Sequence, residues 1–133
     1  MRTTRVLVVD DEPLVASAAR RLLARVHAVE VVHSAQAALA TLDRSGFDAV
    51  LCDLMMPQMT GMELHAQLQR SRPELAGRMI FLTGGVFDAE AERFLAAHAP
   101  WCMGKPFEPA ALLELVAERI ASADALAPGI RMV

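Results

Sequence analysis

Val6-Leu7-Val8-Val9-Asp10-Asp11-Glu12-Pro13 passes directly from an apolar run to three carboxylates and a proline. A run that is apolar throughout, without alternation, fits a strand buried on both faces, as a parallel sheet requires. Pro13 suits the first position of a helix, where its missing N–H costs nothing. The stretch therefore reads as a strand that ends in carboxylates and hands over at once to a helix. Four more apolar runs repeat the theme: Val29 to Val32, interrupted by Glu30, then Ala49 to Cys52, Met79 to Leu82 and Trp101 to Met103.

The segments between the runs have helical period. Leu14, Ala18, Leu22 and Val26 step by four, Ala35, Leu39 and Leu42 follow, and Leu112, Val116 and Ile120 step by four again, each series marking an expected buried face. Pro109 suits a helix start as Pro13 does. Thr60-Gly61-Met62-Glu63 is a capping box, and Ser34 and Asp88 are N-cap residues for two further helices. Arg70 to Gly77, with Pro73, closes the third helix. Strands alternating with helices give an α/β fold, (βα)5, a doubly wound five-stranded parallel sheet. The domain is expected over residues 1–123, with residues 124–133 as a short tail broken by Pro128-Gly129.

Composition narrows the function classes. The chain has 133 residues, 54% hydrophobic and 22% charged, enough apolar material for one core and too much for disorder. A formal net charge of -3 gives no drive toward nucleic acid. The apolar runs fall far short of a membrane span, and no signal peptide is read, which points to a cytoplasmic protein. Cys52 and Cys102 sit in apolar runs and read as small core residues. Of 13 Lys+Arg, the only lysine is Lys105, which suggests a task that Arg cannot perform.

Ligands of open parallel sheets bind at the carboxyl ends of the strands. Those ends carry Asp10-Asp11, Asp53, Thr83-Gly84-Gly85 and Lys105-Pro106. Singly, Asp10 and Asp11 read as helix caps and Asp53 as the start of a turn. Together in one crevice the three carboxylates repel, so either some are protonated or a divalent cation joins them, and hard oxygen ligands favour Mg2+ or Mn2+.

With Asp53-Leu54-Met55-Met56-Pro57, Thr83-Gly84 and Lys105-Pro106-Phe107 added to the opening stretch, the chain resembles the response-regulator receiver domain over roughly residues 4 to 122. The resemblance implies a flavodoxin-like receiver fold and a two-component role. Asp53 would accept a phosphoryl group from the phosphohistidine of a histidine kinase or a histidine phosphotransfer protein. Asp10, Asp11, Asp53 and the Met55 carbonyl would hold Mg2+. Thr83 and Lys105 would complete the catalytic set and, with Gly84, bind the phosphoryl oxygens. A cis Lys105-Pro106 bond is implied as well. Such a domain is no enzyme beyond self-phosphotransfer and autodephosphorylation, and would signal through a partner protein or a phosphorelay.

The sequence departs from the family where a Tyr or Phe commonly stands three residues before the lysine, because Cys102 occupies that place. Without a ring there, a modest conformational response to phosphorylation is expected. Met55 and Gly85 offer no polar side chain to orient an attacking water, so a long-lived acyl phosphate is expected too. Phe81-Leu82-Thr83-Gly84-Gly85 with Phe94-Leu95 resembles receivers of hybrid sensor kinases, so stand-alone and hybrid contexts both stay open. His27, His33, His65 and His98 show no shared spacing and read as ordinary surface or helix-end residues. Two other functions compete: a haloacid-dehalogenase-like phosphohydrolase, whose second Asp would fall at Met55, and a degenerate receiver acting as a binding module.

Overall fold

The computed structural model describes residues 2–85 and 88–125. In chain order the elements are β1 (Arg5–Val9), α1 (Pro13–Leu23), β2 (Ala28–Val32), α2 (Ala35–Arg44), β3 (Ala49–Asp53), α3 (Gly61–Ser71), α4 (Pro73–Ala76), β4 (Met79–Thr83), α5 (Ala89–Ala97), a 3-10 turn (Ala99–Trp101), β5 (Cys102–Gly104) and α6 (Pro109–Ala125). All strand pairs are parallel, in the order β2-β1-β3-β4-β5. The expected α/β architecture is present, with the one-turn α4 added where Pro73 restarts a helix after Ser71. No described helix is long and apolar enough to cross a membrane.

Alternation along the strands divides the core in two. Leu7, Val9, Val50, Cys52 and Phe81 face α2, α3 and α5, whereas Val6, Val8, Leu51, Ile80 and Leu82 face α1 and α6. The central strands are buried on both sides, which is why they are apolar throughout. Local chemistry sets the helix starts as expected. Ser34 and Asp88 accept from the N–H groups of Ala37 and Ala91, and Thr60 and Glu63 complete both halves of their capping box.

Three expectations need correction. The fully buried face of α1 is Ala16, Ala19 and Leu23; of the series Leu14, Ala18, Leu22, Val26, Leu22 packs partly buried against the core and Ala18 is half-buried, but Leu14 is 86% exposed and Val26, beyond the helix, 61%. A step of four overshoots a helical turn by about 40°, and the small alanines are what let α1 lie close on the sheet. Trp101 belongs to the 3-10 turn, since Pro100 removes an N–H that a strand would need, and β5 begins at Cys102. The last helix continues to Ala125, past the expected boundary at 123, and the rest of the expected tail, 126–133, lies outside the described residues.

Gly61 couples α3 to the end of β3. Its N–H donates to the Leu54 carbonyl at 2.8 Å, and a Cβ there would stand 2.5 Å from the Asp53 carbonyl oxygen and 3.1 Å from the Leu54 Cα. Backbone cannot yield as a flexible side chain can. Gly61→Ala is therefore expected to destabilise by about 2–3 kcal/mol, since overpacking outweighs the roughly 1 kcal/mol that Ala gains over Gly in a helix. Urea unfolding measures this, and an unchanged or higher midpoint would refute the close-approach argument.

Candidate functional site

The strand order places β1 beside β3, with their chain connections running off to opposite faces of the sheet, so a crevice opens at their carboxyl ends. Asp10 and Asp53 enter it, 1% and 4% exposed, and Asp11 sits half-buried at its rim. One carboxylate oxygen from each of Asp10, Asp11 and Asp53 lies within 4.8 Å of the other two. The Asp10 backbone is pinned by its N–H to the Val32 carbonyl at 3.1 Å, and its Oδ1 accepts from the Glu12 N–H at 2.9 Å. Asp10 Oδ2 is buried with no hydrogen-bond partner among the described residues.

Lys105 enters from the other side. Its N–H donates to the Thr83 carbonyl at 2.8 Å, and its bond to Pro106 is cis, as expected. The ammonium lies 2.7 Å from Glu12 Oε1, 3.2 Å from Asp53 Oδ1 and 3.5 Å from Asp10 Oδ2, with the side chain only 12% exposed. Burial works against that charge, but Glu12, Asp53 and Asp10 more than offset it and hold the Lys105 pKa above its ordinary value. For Asp53 the balance is reversed. Burial and then the charge of Asp10 push its carboxyl up to about 7 against the pull of Lys105, and the Asp11 carboxyl adds to the rise. One ammonium does not neutralise this many carboxylates.

The remaining expected residues are placed differently. The Thr83 hydroxyl donates to the Gly85 carbonyl at 2.8 Å and accepts from the Gly85 N–H at 3.2 Å, so its hydrogen is committed to its own loop. Gly84 is exposed, and apart from its chain neighbours no atom of the described residues lies within 4 Å of where a Cβ would be. Met55 follows Asp53 in the β3–α3 loop, its side chain packed against the α3-side core. Cys102 is half-buried against that same core, and its thiol donates to the His98 carbonyl at 3.2 Å. Both cysteines are free, as expected.

Two site neighbours went unassigned in the sequence. Glu12 stands inside the acidic motif, but only the fold shows that its carboxylate holds Lys105. His33, read as a surface residue, donates from Nδ1 to the Asp10 carbonyl at 2.9 Å, a direction fixed because a carbonyl can only accept. The chemistry available is that of an anionic, half-desolvated pocket with one compact cation. Its donor set of carboxylates and an orphaned buried oxygen suits a hard divalent cation.

Comparison with known proteins agrees. The chain is 39% identical over 85 residues to the transcriptional regulatory protein TcrA of Mycobacterium tuberculosis, covering 63% of this chain and 34% of that protein. It is 37% identical over 111 residues to the response regulator protein FleR of Pseudomonas aeruginosa, covering 84% and 23%. The chain thus spans about a third or less of the length of these two relatives. A response regulator receiver domain protein from Methanospirillum hungatei, CheY-like, superposes with a TM-score of 0.82 at 25% identity, covering 95% of this chain and all of that one. The family pattern of the response regulator receiver domain matches residues 6–117, with the acidic cluster and Lys105 inside the match. The chain belongs to the response-regulator receiver domains of two-component signalling.

Proposed function

We propose that Asp53 is the phosphoacceptor and that the pocket serves transfer from a phosphohistidine. The observation that carries this is the pairing of Asp53 with the lone lysine inside a carboxylate cluster that leaves Asp10 Oδ2 without a hydrogen bond among the described residues. In the transfer, an Asp53 oxygen bonds to phosphorus as the phosphorus–nitrogen bond breaks, and the imidazole leaves with the bonding pair. Lys105 meets the charge that develops on the phosphoryl oxygens. For Thr83 to join it, its hydroxyl must exchange the Gly85 carbonyl for a phosphoryl oxygen, while the Gly84 N–H adds a second donor. Mg2+ or Mn2+, held by Asp10, Asp11, Asp53 and the Met55 carbonyl, would supply the positive charge that lets the carboxylates and the phosphoryl group approach. Asp53 must be ionised to attack, and the same positive charge would favour its ionised form.

A phosphohydrolase of the haloacid-dehalogenase kind is disfavoured, because Met55 has no proton to give or take where that chemistry needs a second carboxylate. A merely degenerate receiver is disfavoured by the assembly of Asp10, Asp11, Asp53 and Lys105 in one pocket. Incubation with acetyl phosphate and Mg2+ should give one labile phosphoryl adduct by intact-mass analysis. Persistence of that adduct at full yield in excess chelator would overturn the metal-assisted reading.

The donor's approach is marked by an apolar cleft of about 330 Å³ beside the site, formed by Leu14, Val15, Ala18, Pro106 and Phe107 and shared with Lys105. Leu14, exposed on the first turn of α1, fits the apolar face of a helix that carries the donor histidine. Leu14→Asp is expected to slow transfer from a phosphohistidine protein donor at least about tenfold, the scale of losing one buried leucine contact, with acetyl phosphate labelling unchanged. Equal protein-donor rates in wild type and variant would remove the cleft from the reaction.

A further inference from the structure

The end of the sheet remote from Asp53 carries a second group of charge-bearing side chains. An open cavity of about 400 Å³ lies there, lined by His65 and Gln69 of α3, His98 at the end of α5, Trp101 of the 3-10 turn and Arg119 of α6. The Arg119 guanidinium stacks 4.3 Å above the Trp101 ring, and its Nε–H donates to the Met79 carbonyl at 3.0 Å. These two contacts fix the fork. No carboxylate comes within 4.0 Å of it among the described residues, whereas partly buried guanidinium groups are ordinarily paired. Burial accordingly lowers the Arg119 pKa to about 10.

The imidazoles beside it make the imbalance greater. The rings of His65 and His98 are 4.8 Å apart, edge to face. Burial holds both below the ordinary imidazole value, with further lowering of His65 by His98 and then Arg119, and of His98 by Arg119. Among the described residues, the charges that shift the two imidazoles are cationic, and the rest of the lining is uncharged. On the β5 side, the Cys102 thiol is occupied with the His98 carbonyl and is held protonated by burial.

We propose that this cavity binds a small oxyanion bearing two negative charges, a phosphate monoester or a short dicarboxylate. The fixed fork of Arg119 matches two oxygens of either group. His65 and His98 can each take a proton from solvent as the anion arrives, so affinity for the doubly charged form of the anion rises as pH falls from 8 to 6. The cavity is larger than a bare phosphate and leaves room for a short organic portion next to Gln69.

The test is an NMR titration of the histidine rings in the full chain without Mg2+, at constant ionic strength in chloride, using inorganic phosphate and malonate as separate probes. His65 and His98 signals should shift saturably with at least one probe, and their protonation midpoints should rise, while His33 beside Asp10 and His27 stay in place. Response to phosphate alone assigns the phosphate monoester class, to malonate alone the dicarboxylate class, and to both the shared oxyanion chemistry. Arg119→Gln should weaken binding by about tenfold or more, as expected for loss of a charge-assisted pair of hydrogen bonds. Because that change also removes a bond to the Met79 carbonyl, His98→Gln is the second variant, expected to fold and to lose much of the pH dependence. No saturable shift in the wild type, or equal shifts at His33 and His27, would overturn the proposal whatever the variants do.

Discussion

Asp53→Asn is expected to abolish the phosphoryl adduct formed with acetyl phosphate and Mg2+, a loss limited only by detection. The amide is close in shape but is a far weaker nucleophile, and no neighbouring carboxylate is held by Lys105 in the same way. Glu12 is nearer to the ammonium, at 2.7 Å, but its side chain is 58% exposed, whereas Asp53 is closed in with Asp10. Intact-mass analysis decides the matter, and an undiminished adduct in the variant would transfer the acceptor role to Asp10, Asp11 or Glu12.

The same substitution should stabilise the metal-free protein at alkaline pH. Asp53 has a folded-state pKa raised from 3.8 to about 7 by burial and by Asp10. Between those values the folded state binds more protons than the unfolded one, so this contribution to stability is complete below pH 3.8 and disappears as pH rises through 7. Asn does not ionise and escapes the loss. With each pH unit worth about 1.4 kcal/mol, and with the Lys105 pairing forfeited, a net gain of about 1–3 kcal/mol is expected at pH 8, shrinking toward pH 5. Urea unfolding in chelator at the two pH values measures it. A wild type as stable as Asp53→Asn at pH 8 would show that the carboxylates do not strain the fold.

Most of the architecture was legible because it rests on local chemistry. Doubly buried strands must be apolar throughout, and Ser34, Thr60 and Asp88 cap helices by bonds to residues three positions away. The acidic cluster was legible for a related reason: parallel strands deliver their ends to one edge, so residues far apart in sequence become neighbours once the order of elements is known. Side-chain direction across elements was not legible. Leu14 looked like core because its spacing is helical, yet the sheet receives Ala16 and Ala19, whose small size carries no hydrophobic signal of its own. His65 and His98 belong to different helices, and only the packing of α3 and α5 around Phe81 and Phe94 brings their rings together. The Thr83 hydroxyl donates to the Gly85 carbonyl, a choice of acceptor that a freely rotating hydroxyl makes only once the loop is folded, so it could not be read from the sequence.

Lys105→Met is expected to reduce the rate of labelling by about 10² to 10³, the usual consequence of removing one preorganised donor from a developing charge. Arg should rescue little of it. The ammonium contacts Glu12, Asp53 and Asp10 from one point in a nearly closed space, whereas a guanidinium is planar, longer and suited to a pair of parallel bonds. That geometry accounts for the single lysine in a chain whose other basic residues are all Arg. Loss of the ammonium also removes the main force holding the Asp53 pKa down, so the residual labelling of Lys105→Met should require a higher pH than the wild type. Its metal-free stability at pH 8 should fall, opposite in sign to Asp53→Asn. Because both changes act on one cluster, the double variant should depart from additivity and be more stable than the sum of the singles, since without Asp53 the lysine has less negative charge to balance. A pH–rate profile for labelling, with urea unfolding of the four forms, tests each part. A Lys105→Met protein labelled within about threefold of wild type, less than the loss of any preorganised donor, would leave the lone lysine without a role in the transfer.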